Sequence, residues 1–227
     1  MTTEFVRMGA RDVRVWPKGQ ELARLDEPRM RIADFADYPS YHERLVTRIL
    51  AMEQDPRYRD WIFKGGCGMK VRHPDRWGCV EADLVHARAI ELFKKALNVT
   101  TAVVDQCWAS VYRRGDYCMP HSHLRTIASI VYLLDPGDFS AEDPNAAKLC
   151  FADPRIAACC MNQPGRMTNL LVPDMKPGSM LIFPSELVHS VNPYLGDRPR
   201  ITLSWNIHNA ALPGLPQSAL HTTARAN

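Results

Sequence analysis

Two histidines stand one residue apart in Pro120-His121-Ser122-His123. Side chains two apart on a β-strand point to one face, so both imidazoles can reach a single metal ion. Imidazole suits that work because its neutral form is available near pH 7. An isolated H-x-H pair also reads as one surface histidine beside one packed locally. A third histidine follows later. Pro177-Gly178 has tight-turn chemistry and launches the apolar run Ser179-Met180-Leu181-Ile182-Phe183-Pro184, after which comes Leu187-Val188-His189-Ser190-Val191. A turn, a strand, a second turn and a short strand bring His189 back toward the first pair, or leave it as a polar residue at a strand end. Beyond it, Arg200-Ile201-Thr202-Leu203-Ser204-Trp205-Asn206 alternates between polar and apolar. A half-buried strand has one apolar and one solvated face. Arg200 is then a surface residue. If the polar face instead lines a pocket, Arg200 offers a planar fork to a carboxylate and Thr202 adds a hydroxyl.

The elements that must position these residues follow from periodicity. Val13 to Trp16 alternates and stops at Pro17, predicting a strand. Leu45, Ile49 and Met52 are spaced for a helix over 41–53. The clearest helix is 80–97, with Ala82, His86, Ile90, Phe93 and Leu97 on one face and Asn98 as its stop. From Thr100 the period changes. Strands are predicted over 101–112, 126–134, 148–151, 179–183, 187–191 and 200–208. Helices early and strands late suggest an antiparallel sheet system with helices packed against it, not alternating βαβ units. No Gly-rich loop joins a strand to a helix, which argues against a nucleotide-binding fold. One domain is expected over 1–227. In it 1–100 form a mainly helical support, 101–210 the β core and 211–227 a loose tail. The stretch 136–176 is too long for an idle connection and is the candidate lid. Its Arg155 and Arg166 can meet an acidic group on a substrate; Arg155 can equally cap a turn or form a surface ion pair.

Composition excludes several classes. The 227 residues are 46% hydrophobic with a net charge of +3, and acids and bases are interspersed. No basic run points to nucleic acid, and no apolar stretch reaches the length of a membrane span. The seven cysteines are odd in number and irregularly spaced, a poor disulfide framework. The opening residues carry no secretory signal pattern, so a soluble, reduced, cytoplasmic protein is expected. Cys67, His73 and Cys79 do not have zinc-site spacing, and Cys159-Cys160 reads as two free thiols. His86 is expected to be a packing residue and Trp108 and Trp205 core; His42, His208 and His221 have no evident partner.

The order H-x-H, then G-S-M-L-I-F-P (Gly178–Pro184), then H-S-V-x-P (His189–Pro193), then R-x-T (Arg200, Thr202) resembles the Fe(II)/2-oxoglutarate-dependent oxygenase superfamily. It most resembles bacterial members that carry H-x-H where most have H-x-D. Ser110-Val111-Tyr112-Arg113-Arg114-Gly115-Asp116 is similar to the N-x-Y-x-x-G-D stretch of many members, and Phe151-Ala152-Asp153-Pro154-Arg155 to the F-x-D-P-R segment of the H-x-H group. Each motif alone is modestly specific; their order along residues 104–209 makes the resemblance specific.

The resemblance implies a mainly β fold with supporting helices (α+β), a double-stranded β-helix or jelly-roll. It implies that His121, His123 and His189 hold Fe(II). Arg200, assisted by Thr202, would pair with the far carboxylate of 2-oxoglutarate. Tyr112 occupies the place from which a phenol donates to that co-substrate in several relatives, or is a core aromatic. The implied reaction uses dioxygen, hydroxylates a small molecule, amino acid or peptide, and releases succinate and carbon dioxide. The departure is His123, since the usual triad is two histidines and a carboxylate. Three neutral imidazoles leave the iron its full charge, so iron and 2-oxoglutarate should bind in a strongly coupled way. Alternatively His123 lines the pocket while Asp116 or water completes the shell, or the position stays open. Two competing functions remain: a cupin-like three-His dioxygenase, which has no need of Arg200 and Thr202, and a non-enzymatic jelly-roll module that binds a small ligand.

Overall fold

The structure, a computed structural model, describes residues 4–25, 30–60, 68–123, 126–138, 143–152 and 170–209. In chain order the elements are β1 (Phe5–Met8), β2 (Arg11–Arg14), β3 (Ala23–Leu25), β4 (Met30–Asp34), α1 (His42–Glu53), β5 (Arg59–Asp60), β6 (Met69–Arg72) and α2 (Val80–Leu97). There follow β7 (Val103–Tyr112), β8 (Cys118–His121), β9 (Ala128–Asp135), β10 (Leu149–Ala152), β11 (Leu170–Leu171), β12 (Ser179–Pro184), β13 (His189–Val191) and β14 (Arg200–His208). An eight-stranded antiparallel sheet runs β3-β4-β12-β9-β14-β7-β6-β5, and a four-stranded one runs β11-β10-β13-β8. This is the double-stranded β-helix that the motif order implies.

Alternation along the strands builds two apolar layers. On β12, Met180 and Ile182 point to one side and join Ile130, Leu203, Trp205 and the helix residues Leu45, Ile49, Val85, Ala89 and Phe93. Leu181 and Phe183 point to the other side and meet Met30, Leu149 and Phe151 between the sheets. A period of two is what lets one strand serve both layers. The turn into β12 fixes where this begins. Gly178 has φ +89, and a Cβ there would lie 2.8 Å from the Phe35 carbonyl oxygen. The Ser179 N–H donates to the Lys176 carbonyl at 2.9 Å, closing a turn with Pro177 and Gly178 at its centre.

The helices follow their sequence signals with one shift. Asn98 ends α2 in the left-handed region (φ 54, ψ 50), as expected of a stop. The buried face of α2, however, is Ala82, Leu84, Val85, Arg88, Ala89, Leu92 and Phe93, while His86, Ile90 and Leu97 are half-buried. Arg88 was hidden from a hydrophobicity count. It is fully buried because Asp37 accepts from it at 2.6 and 2.9 Å and the Tyr41 hydroxyl accepts at 2.8 Å. Strands also contribute more to the first hundred residues than expected: β3 to β6 widen the major sheet at both edges. The first predicted strand lies two residues early, as β2, hairpinned to β1. Among the described residues no helix is long and apolar enough to cross a membrane.

Candidate metal and 2-oxoglutarate site

The space between the sheets has a second, polar half. β14 is buried along its whole length. Ile201, Leu203, Trp205 and Ile207 face the helix side. Arg200, Thr202, Ser204 and Asn206 face inward and line a cleft. Register carries the polar row onto β7, where Arg200 pairs with Tyr112, Thr202 with Ser110 and Ser204 with Trp108. Among the described residues no Asp or Glu lines the cleft.

The minor sheet brings the histidines to the same cleft. His121 on β8 and His189 on β13 are direct cross-strand partners. Their ring centroids are 4.3 Å apart, and the His123 ring lies 5.0 and 5.1 Å from them. One ring nitrogen from each falls within 4.8 Å of the others, a group that can hold a metal ion. The H-x-H pair does not, however, sit on one strand. β8 ends at His121, and His123 is fixed instead by its N–H, which donates to the Ser185 carbonyl at 2.8 Å. Asp116 is not in the group; its carboxylate accepts the Arg113 N–H at 2.7 Å in the turn after β7.

Hydrogen bonds orient two of the rings. His121 Nδ1 donates to the Met119 carbonyl at 2.8 Å, and His189 Nδ1 to the Leu187 carbonyl at 2.9 Å. A carbonyl only accepts, so each proton sits on Nδ1 and Nε2 keeps its lone pair. That is the usual outer arrangement of metal-binding histidines. Burial lowers all three pKa values, His123 to about 4 and His189 to about 3, with Lys70 pushing the same way. The rings are therefore neutral donors at pH 7.

This has a consequence for the metal-free protein. The unfolded chain takes up protons on these histidines from about pH 6.5 downward, while the folded protein does so only near pH 4 and 3. His42, lowered to about 4 by burial, behaves alike. Stability should therefore fall as pH drops from 6.5 toward 4, by up to about 1.4 kcal/mol per pH unit for each such histidine. Chemical denaturation at pH 7, 6 and 5 checks this. Unchanged stability across that range would contradict buried, neutral imidazoles.

Arg200 is the other marked feature. It is 6% exposed, and its Nη1 has no hydrogen-bond partner among the described residues. Its guanidinium carbon lies 5.2 Å from the Tyr112 ring centroid, and burial lowers its pKa. A buried cation lacking a carboxylate is costly unless a ligand supplies one.

Other expectations change. Trp108 is not core: it is half-buried on the cleft wall, 6.2 Å from the His123 ring, with Lys70 Nζ 4.5 Å from its centroid. His42 has a partner, the Tyr132 hydroxyl at 2.6 Å. His86 accepts from Trp205 Nε1 at 3.1 Å, in keeping with a packing role. Arg155, Arg166, Cys67, Cys159, Cys160, His221 and most of the 136–176 stretch lie outside the described residues. Lys70 was missed. The buried Met69 and Val71 put it on the opposite face of β6, but which face meets the cleft depends on pairing Lys70 with Ser110.

A family model described as "Putative 2OG-Fe(II) oxygenase" matches residues 106–206, the span from β7 to β14 that holds all three histidines, Tyr112, Arg200 and Thr202. No curated protein sequence matches. Solved structures of similar fold include AviO1 from Streptomyces viridochromogenes Tue57, 16% identical with TM-score 0.57, covering 82% of this chain and 92% of that one. The epimerase SnoN in complex with Fe3+, alpha ketoglutarate and nogalamycin RO is 14% identical, with TM-score 0.55 and coverage of 89% and 84%. EctD from S. alaskensis with 2-oxoglutarate and 5-hydroxyectoine is 14% identical, with TM-score 0.58 and coverage of 84% and 72%. The cleft, the motif order and these likenesses converge: residues 106–206, a little under half of the chain, match the 2OG-Fe(II) oxygenase family model, and the fold is the one that these solved structures share.

Proposed function

We propose that His121, His123 and His189 hold the iron through Nε2, and that Arg200 receives the far carboxylate of 2-oxoglutarate. The observation that carries this is Arg200 Nη1, without a hydrogen-bond partner among the described residues, in a cleft that also holds the three imidazoles and that no described Asp or Glu lines. The described residues fit both groups: neutral nitrogen donors suit iron, and a buried guanidinium suits a carboxylate in bidentate geometry. Thr202, on the same face of β14, adds a hydroxyl. Tyr112, opposite Arg200 in register, adds a phenol and closes the floor beneath it. When bound, iron and 2-oxoglutarate supply oxidation by dioxygen, with succinate and carbon dioxide as co-products.

The chain's own residues do the rest. The Nδ1–H bonds of His121 and His189 keep two lone pairs aimed into the cleft. Phe183 and Phe151, whose ring centroids are 4.8 and 5.9 Å from that of His189, exclude water behind it. Substrate would enter on the Trp108 side, where a flat apolar surface stands beside the Lys70 amine. That combination favours a substrate with a planar or apolar body and an anionic group, from the range of small molecules, amino acids and peptides. Hydroxylation is the proposed outcome.

The test is succinate formation from 2-oxoglutarate under air, with Fe(II), across a panel of candidate carboxylates and their amides. Substrate-stimulated succinate release, lost in His121→Ala, is expected. A cupin-like dioxygenase would consume oxygen with the same metal and leave 2-oxoglutarate intact, and that result would overturn the proposal.

A further inference from the structure

His123 differs from its two companions in what holds its Nδ1. For His121 and His189 the partner is a carbonyl, which fixes the proton on Nδ1. For His123 the partner is the Asn206 side-chain amide, with Asn206 Nδ2 3.3 Å from His123 Nδ1. An amide N–H there donates to Nδ1, so the His123 proton must sit on Nε2, the atom that would have to bind a metal. A half turn of the amide puts Asn206 Oδ1 in the same place. Nδ1 then carries the proton and Nε2 is free.

The surroundings permit both settings. Asn206 is 5% exposed and its Oδ1 accepts from Ser129 Oγ at 2.9 Å. Ser129 Oγ lies 3.1 Å from Ser185 Oγ, which accepts from Thr126 Oγ1 at 2.9 Å. In the first setting every donor points one way: Thr126 to Ser185, Ser185 to Ser129, Ser129 to Asn206, Asn206 to His123. In the second every bond runs in reverse, and Thr126, which is half-buried, is released to donate to solvent. Hydroxyls both donate and accept, so the chain reverses without losing a buried bond. Ser185 also carries the backbone carbonyl that anchors the His123 N–H, so one residue ties the ring's position to its tautomer.

We infer that Asn206 is a positioning residue whose side-chain orientation decides whether His123 is a metal ligand, and that metal binding reverses the Asn206–Ser129–Ser185–Thr126 chain. This rests on the proposal that His123 is a ligand. In the metal-free protein the ligating tautomer is then a minor state, and apparent metal affinity is reduced by its fraction. The inference gives opposite signs for two changes at one position. Asn206→Leu removes the acceptor that the ligating tautomer needs and should weaken metal binding about 10- to 100-fold, the usual effect of losing an outer partner. Asn206→Asp can only accept, so it should fix the ligating tautomer without metal and strengthen metal binding.

The experiment uses the full chain and Zn(II), a diamagnetic probe, with affinity measured against a chelator and imidazole tautomers read by 15N NMR. Expected are a His123 proton on Nε2 in metal-free wild type, moving to Nδ1 on zinc binding and already on Nδ1 in metal-free Asn206→Asp, with tighter zinc binding in that variant. A His123 proton on Nδ1 with and without zinc in wild type would overturn the inference, a readout that requires no variant to fold. So would Asn206→Leu and Asn206→Asp affinities equal to wild type while His123→Ala binds weakly. If His123→Ala binds zinc as wild type does, the ligand assignment itself fails, and the inference with it.

Discussion

Arg200→Met is expected to weaken the response to 2-oxoglutarate sharply and, in the same variant, to raise the stability of the ligand-free protein. Both effects follow from one placement. The guanidinium is 6% exposed and one of its nitrogens is unpaired among the described residues. Truncating one partner of a buried, hydrogen-bonded charge pair costs about 2–5 kcal/mol, which is roughly a 30- to several-thousand-fold loss of affinity for 2-oxoglutarate. Without the co-substrate the same cation is a liability. Leaving a buried polar group unsatisfied costs about 1–3 kcal/mol, and methionine fills similar space with no charge to desolvate. Part of that gain is offset by losing the Tyr112 contact at 5.2 Å. A net gain of about 1 kcal/mol would raise Tm by about 2–4 °C in a chain this long. Thermal melts with and without 2-oxoglutarate check both halves. Lower stability together with unchanged 2-oxoglutarate affinity would make Arg200 a structural residue.

His121→Ala and His189→Ala should cripple metal binding equally while differing in what they do to the fold. Each removes one of three nitrogen donors. The loss should exceed the roughly 10- to 100-fold that an outer partner costs. His189 is also a packing residue, 6% exposed, its ring centroid 4.8 Å from that of Phe183. Its truncation opens a cavity between the sheets and should cost about 2–4 kcal/mol. His121 is only half-buried at the cleft, and its removal should cost less than about 1 kcal/mol. Isothermal titration with metal, paired with urea melts of the metal-free variants, separates the two effects. Equal stability losses would contradict the placement of His189 against the aromatic pair.

The parts of this site legible in the sequence are those that local periodicity sets. The β14 alternation placed Arg200, Thr202, Ser204 and Asn206 on one face, and the structure makes that face the cleft wall. Pro177-Gly178 marked the turn that starts β12. Strand pairing was not legible, and it decides the rest. Lys70 and Trp108 reach the cleft only because β6 pairs with β7 in one register. A tryptophan on an alternating strand gives no local sign of which face is wet. His123 was misplaced for a related reason: H-x-H suggests a strand, but a backbone bond to Ser185, 62 residues on, positions the ring after β8 has ended. The role inferred for Asn206 likewise depends on Ser129, its register partner on β9.

The most direct test of the three-histidine iron site with Arg200 as the carboxylate receptor is an anaerobic titration. The apoprotein receives Fe(II) and then 2-oxoglutarate, and the visible charge-transfer band of the chelate is followed in wild type, His123→Ala and Arg200→Met. The expected result is a saturable band in wild type, no band in His123→Ala, and a band in Arg200→Met only at far higher 2-oxoglutarate. A full band in His123→Ala would remove His123 from the metal, and no band in wild type despite bound iron would contradict 2-oxoglutarate chelation at this site.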